Sequence, residues 1–192
     1  METDNKPEEV LNDAKDTQVL EEVGSEDPST KVDVSRPTAV VDESNIYMLV
    51  GKYSHDAADN CQADAEKIKS GMLLVKGKVG GEADNKKIDW KTTDGVPCTL
   101  GAKHESLTGL IGSGGSGVKL KDGKLVFPVE ATKKDGAGKD EKTVSLITYS
   151  SDTKNWNLSK GMSADGCGVP SVVEWEDKLM MMTACDDGRR RV

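Results

Sequence analysis

Val118-Lys119-Leu120-Lys121-Asp122-Gly123-Lys124-Leu125-Val126-Phe127-Pro128-Val129 is the stretch that decides the fold. Two β-prone runs flank an Asp-Gly pair, the strongest short-range hairpin signal, because both residues tolerate the positive φ of a two-residue turn. Working outward, the same grammar recurs. Val144-Ser145-Leu146-Ile147-Thr148-Tyr149 and Trp156-Asn157-Leu158-Ser159 predict a second hairpin. Ser171 to Trp175, a Glu176-Asp177 turn and Lys178 to Thr183 predict a third. Upstream, Asn45 to Tyr53 and Met72 to Val79 are apolar strand candidates, and Lys87 to Lys91 alternates polar and apolar residues. Asp186-Asp187-Gly188 is a last turn signal, after which Arg189-Arg190-Arg191-Val192 starts a strand that the sequence does not finish.

Short strands at regular spacing indicate an all-β sandwich, barrel or propeller. No alternation with long helices supports a doubly wound sheet. Seven aromatic residues in 192, 35% hydrophobic residues and twenty glycines predict a turn-rich chain with a sparse core. No apolar run reaches the roughly 18 residues of a membrane helix, and the first residues have neither the basic nor the apolar segment of a signal peptide.

The net charge of −8 is localised. The first 30 residues hold ten acids and two lysines, and the remainder is neutral. Neither part offers the basic face that nucleic-acid binding requires. Residues 1–35 read as an acidic leader, either a short amphipathic helix built on Val10, Leu11, Ala14, Val19, Leu20 and Val23 or a disordered segment. Residues 36–192 form the body.

The cysteines Cys61, Cys98, Cys167 and Cys185 are widely separated and there are two histidines, so a zinc site is disfavoured. One or two disulfides, or buried thiols, remain open. Gly112-Ser113-Gly114-Gly115-Ser116-Gly117 formally fits a dinucleotide-binding glycine pattern, but it leads into a hairpin rather than a helix, and it reads as a flexible loop. Met180-Met181-Met182 reads as packing on a buried strand. Asn157-Leu158-Ser159 is a glycosylation sequon, relevant to a secreted protein.

Ser150-Ser151-Asp152-Thr153-Lys154-Asn155-Trp156 resembles the Asp-box turn of sialidase propellers, one residue short and without its glycine, with Asn155 as the residue suited to a left-handed conformation. Collinear blocks extend the likeness: Val40-Val41-Asp42 to Tyr53, Gly114 to Val118, Leu125 to Val129, Lys160-Gly161-Met162-Ser163-Ala164-Asp165-Gly166-Cys167, and Val173 to Leu179 with Arg189-Arg190-Arg191. From about Ser35 onward the chain resembles the trans-sialidase superfamily of kinetoplastid surface glycoproteins.

The resemblance implies a six-bladed β-propeller, of which this chain supplies about three blades. It implies hydrolysis or transfer of terminal sialic acid by a tyrosine nucleophile, an activating glutamate, an aspartate acid/base and three arginines, with no cofactor and no metal. A guanidinium suits the substrate carboxylate, and a phenol needs a base because its free pKa is near 10. On this alignment Glu174 stands at the activating glutamate. Counting from it puts the central clamp at Arg189, and an insertion at the Asp187-Gly188 step moves it to Arg190. The acid/base and first arginine are expected upstream of Met1, and the nucleophile and third arginine beyond Val192. Arg36 stands before Pro37-Thr38 where the family carries a substrate-contacting aspartate, and no acceptor-site aromatic follows Tyr53.

The chain is therefore expected to be a sialidase-like domain, catalytically incomplete, with sialylated glycans or host cell-surface glycoproteins as partners. Two alternatives stand beside it: a non-enzymatic adhesin, supported by Arg36, and a truncated product without independent function. The resemblance places it at the cell surface or outside the cell.

Overall fold

A computed structural model describes residues 34–52, 71–81, 87–96, 107–134 and 141–192. The acidic-leader helix lies outside them, as do His55, Cys61, Cys98 and His104. Every regular element among the described residues is a strand: β1 Val34–Asp42, β2 Asn45–Lys52, β3 Gly71–Gly80, β4 Lys87–Val96, β5 Leu107–Gly112, β6 Val118–Lys119, β7 Leu125–Lys134, β8 Glu141–Ser150, β9 Asn157–Leu158, β10 Cys167–Trp175, β11 Lys178–Cys185 and β12 Arg190–Arg191.

They form three antiparallel sheets, each from a contiguous stretch of chain. The first runs β1-β2-β3-β4, and the second runs β5-β7-β8-β9 with β6 also on β7. The third runs β10-β11-β12. This sheet-by-sheet order is what a meander of propeller blades requires.

The Asp-Gly hairpin forms as its sequence predicts. Gly123 takes φ 87°, Asp122 Oδ1 accepts the Lys124 N–H at 3.1 Å, and Leu120 and Lys124 close the turn. The hairpin feeds β7, a central strand buried on both faces from Leu125 to Ala131. Pro128 is tolerated inside it for a local reason. Its carbonyl accepts from Ser113 N–H, so its missing donor points at the interruption between β5 and β6 rather than at β8.

One core joins the first two sheets through Val40, Leu49, Leu74, Phe127, Leu146 and Trp156. The rings of Phe127 and Trp156 lie 5.9 Å apart and tilted by 50°, a favourable aromatic arrangement.

The glycine-rich stretch is not the flexible loop its composition suggests. Gly114 N–H donates to Thr38 Oγ1 at 3.0 Å, Gly117 N–H donates to Ala39 O at 2.9 Å, and Ala39 N–H donates to Gly115 O at 3.2 Å. Ala39 and Ser116 make a parallel bridge. The glycines allow two backbones to touch: a Cβ on Gly117 would stand 2.4 Å from the Val126 carbonyl oxygen. The stretch is the seam between two blades.

Two further expectations change. Met180 and Met182 are exposed, as is Trp175 at 61%. They share the outward face of β10–β11 with Val173, since the register pairs Val173 with Met180 and Ser171 with Met182; only Met181 and its neighbours on the other face are partly covered. In the Asp-box turn the left-handed residue is Thr153, at φ 62°, and not Asn155. Asn155 instead gives its N–H to Asp152 Oδ1 at 2.7 Å and its amide to Oδ2 at 2.6 Å.

Candidate functional site

Two strands begin alike. Arg36-Pro37-Thr38 opens β1 and Val169-Pro170-Ser171 opens β10. Each carries a bulge, between Ser35 and Thr38 and between Gly168 and Ser171. The residue before each proline is left-handed, Arg36 at φ 49° and Val169 at φ 48°. For a β-branched valine this is an outlier that costs on the order of 1–3 kcal/mol, and such strain concentrates at functional sites.

Glu130, in the middle of β7, ties the two starts together. Its Oε2 accepts from Arg36 Nη1 at 2.6 Å and its Oε1 accepts the Val169 N–H. The Glu130 side chain is 8% exposed and that of Arg36 is 45% exposed. One carboxylate thus joins all three sheets at their bulged ends. A buried charge survives only with such partners. Sequence reasoning missed Glu130; the available signal was a lone acid inside the apolar run Leu125 to Ala131.

The opposite, turn end of the sheets is also laced by ion pairs. Lys119 Nζ meets Asp42 Oδ1 at 2.7 Å, and that hydrogen bond raises the Lys119 pKa. Lys121 pairs with Asp177. Glu174 belongs to this end: it is half-buried and pairs with Leu179 beside the tight Glu176-Asp177 turn.

The arginines lie at the bulged end. Arg190 pairs with Ala184, which pairs with Gly168, while Arg191 pairs with Thr183. Asp187 organises the preceding turn. Its Oδ1 accepts the Arg189 N–H at 3.0 Å and its Oδ2 accepts from Arg191 Nη2 at 2.9 Å, which together hold its carboxyl below the usual range. Arg191 is therefore held by Asp187, and Arg190 is exposed.

In the strand pairing Glu174 and Arg190 are not neighbours, while Arg191, opposite Thr183, is on the same face of the hairpin as Glu174. Leu179 and Ala184 are five positions apart on β11, about 17 Å along the strand. Side-chain alternation also puts Glu174 and Arg190 on opposite faces of the hairpin. What converges at the bulged end is Arg36, Glu130 and Val169, with Arg190 two strands away in the Gly168 row.

A family model described as BNR repeat-like domain matches residues 1–192. Sialidase 85-1.1 of Trypanosoma cruzi is 32% identical over 168 residues, covering 82% of this chain and 21% of that protein. A second Trypanosoma cruzi sialidase is 31% identical over 163 residues, covering 81% of this chain and 14% of its own length. The chain thus spans about a fifth or less of these relatives. Among solved structures, Trypanosoma rangeli sialidase in complex with the inhibitor DANA aligns with TM-score 0.66 and 27% identity, over 84% of this chain and 26% of that one. The same enzyme in complex with sialic acid aligns with TM-score 0.66 and 28% identity over the same shares. The three sheets are accordingly blades of a partial sialidase propeller, and the chain belongs to the BNR repeat-like domain family, within its sialidases and trans-sialidases.

Proposed function

We propose that this sialidase-like domain recognises sialylated glycans or glycoproteins and does not cleave them. The observation that carries the reading is the bulged end. Where the family resemblance puts a substrate-contacting aspartate, Arg36 stands, neutralised by Glu130, whose other oxygen accepts the Val169 N–H. Glu174 is the position that the family resemblance gives to the activator of a nucleophile. It stands at the other end of the hairpin, about 17 Å along the strand from the Arg190 row. Arg190 is exposed and offers a planar guanidinium suited to a carboxylate. The Cys167–Cys185 disulfide supports a cell-surface or extracellular setting.

The test compares immobilised glycoprotein before and after desialylation, together with a fluorogenic sialoside. The proposal expects binding only to the sialylated form, no turnover, a loss of about tenfold in affinity for Arg190→Ala, and no change for Glu174→Ala. Sialoside turnover that disappears in Glu174→Ala overturns it.

A further inference from the structure

We propose that Arg36 and Val169 form a subsite for an acyl ester, so that the glycan recognised at the bulged end carries an O-acylated sialic acid. The inference rests on the sialoglycan reading above and names its ligand more closely.

Folding gives no reason for a valine at 169. The backbone there is left-handed, at φ 48°, which a β-branched side chain resists. The residue is 64% exposed, so its side chain buries little apolar surface. What the fold uses is its N–H, a donor to Glu130 Oε1, and any residue but proline supplies that. An exposed apolar side chain on a strained backbone is the kind of residue that function keeps at the expense of stability.

Arg36 holds the matching position of the first sheet, at φ 49° before Pro37. The two residues meet on one carboxylate: Glu130 Oε2 accepts from Arg36 Nη1, and Oε1 accepts the Val169 N–H. This corner thus carries a half-exposed guanidinium and an exposed isopropyl group.

Their chemistry selects the ligand group. A guanidinium only donates, and an isopropyl group neither donates nor accepts. Both oxygens of the carboxylate beside them already accept. A ligand hydroxyl or amide N–H brings a donor to a corner whose acceptor is engaged, and an unmatched donor is costly to desolvate. An acyl ester brings a carbonyl oxygen for Arg36, a methyl group for Val169, and no donor.

The rest of the sugar has a place as well. A Cβ on Gly168, next to Val169, would stand 3.4 Å from Glu130 Oε1. Gly168, Ala184 and Arg190 form one cross-strand row. Arg190 therefore leaves the third sheet on the Glu130 side, its backbone about 10 Å from that of Gly168. Its guanidinium takes the sugar carboxylate while Arg36 and Val169 take the ester.

The test measures affinity for an immobilised glycoprotein rich in O-acetylated sialic acid. Three forms are compared: untreated, treated with a sialate O-acetylesterase, and desialylated. The expected result is a loss of about tenfold on removal of the ester and loss of the remaining binding on desialylation. In Val169→Asn the difference between the first two forms closes. Its melting temperature equals or exceeds that of wild type, because asparagine suits the left-handed backbone better. Arg190→Ala weakens binding to both sialylated forms by the same factor. Affinity unchanged by the esterase, with binding still lost on desialylation, overturns the ester subsite and leaves the sialoglycan reading standing. Equal binding to all three forms overturns both. A lowered melting temperature in Val169→Asn overturns the assignment of Val169 to the ligand rather than to the fold.

Discussion

Arg36 and Glu130, 94 residues apart, meet at 2.6 Å where the first and second sheets adjoin, and the second oxygen of the same carboxylate holds the strained start of the third sheet at Val169. Glu130 is the buried partner, so its removal should cost more than that of Arg36. Glu130→Ala leaves a guanidinium and an amide without their acceptor and should destabilise by about 3 kcal/mol. Arg36→Ala should cost about 1 kcal/mol, because that side chain is half in solvent. A double-mutant cycle in urea should return a coupling of about 1–2 kcal/mol; additive effects would remove Glu130 as the joint between sheets.

Replacing Arg36 by aspartate, the residue that the family resemblance puts there, sets a carboxylate against Glu130. Arg36→Asp should therefore destabilise more than Arg36→Ala, by at least about 1 kcal/mol further. Adding Glu130→Gln should recover most of that difference. Thermal unfolding of the three variants decides the point.

The seam between blades makes an opposite demand on two glycines of one loop. Gly117→Ala puts a Cβ against the Val126 carbonyl at 2.4 Å and Val40 Cγ2 at 2.7 Å, whereas a Cβ on Gly115 meets nothing within 4 Å. The expected costs are about 2–3 kcal/mol for Gly117→Ala and within about 0.5 kcal/mol of zero for Gly115→Ala. Equal costs measured by denaturant unfolding would return the loop to the flexible reading.

The Asp152 turn should confer acid sensitivity. Hydrogen bonds from the Asn155 N–H, the Asn155 amide and the Lys154 N–H hold its carboxyl well below the usual range. A carboxyl with a depressed folded pKa stabilises fully above its unfolded pKa, near 3.9, and loses that contribution as pH falls through the folded value. The stability difference between wild type and Asp152→Ala should be constant above about pH 5 and shrink steadily below about pH 4. A difference that grows on acidification would contradict the assignment.

The Cys167–Cys185 bridge closes the open end of the β10–β11 hairpin across a separation of 18 residues. Cys167→Ser/Cys185→Ser should lower stability by about 3 kcal/mol on the chain-entropy estimate. Reductant should lower the melting temperature of wild type by more than that of the variant.

Hairpins were legible in the sequence because their signals are local. Asp122-Gly123 and Glu176-Asp177 select their turns from the residues that occupy them, and the flanking strands then pair in the expected register. The glycine-rich stretch misled because composition reports what a backbone permits. Its shape comes from Thr38 and Ala39, more than 70 residues earlier. The methionine run misled because apolar character was read as burial, whereas alternation along β11 sends Met180 and Met182 to an exposed face. Glu174 was placed by the family resemblance and the arginine by counting from it; which end of the β10–β11 hairpin each occupies comes from the strand pairing.

The sequence by itself determined an all-β chain of short hairpins, its turn residues and its likeness to sialidases. These rest on nearest-neighbour backbone preferences and on motifs that stay contiguous along the chain. Only the tertiary structure decided that Arg36, Glu130 and Val169 share one end of the sheets and that Glu174 lies at the other. The physical reason is that a buried carboxylate is stable only where the fold delivers its partners, and here those partners arrive from two other sheets.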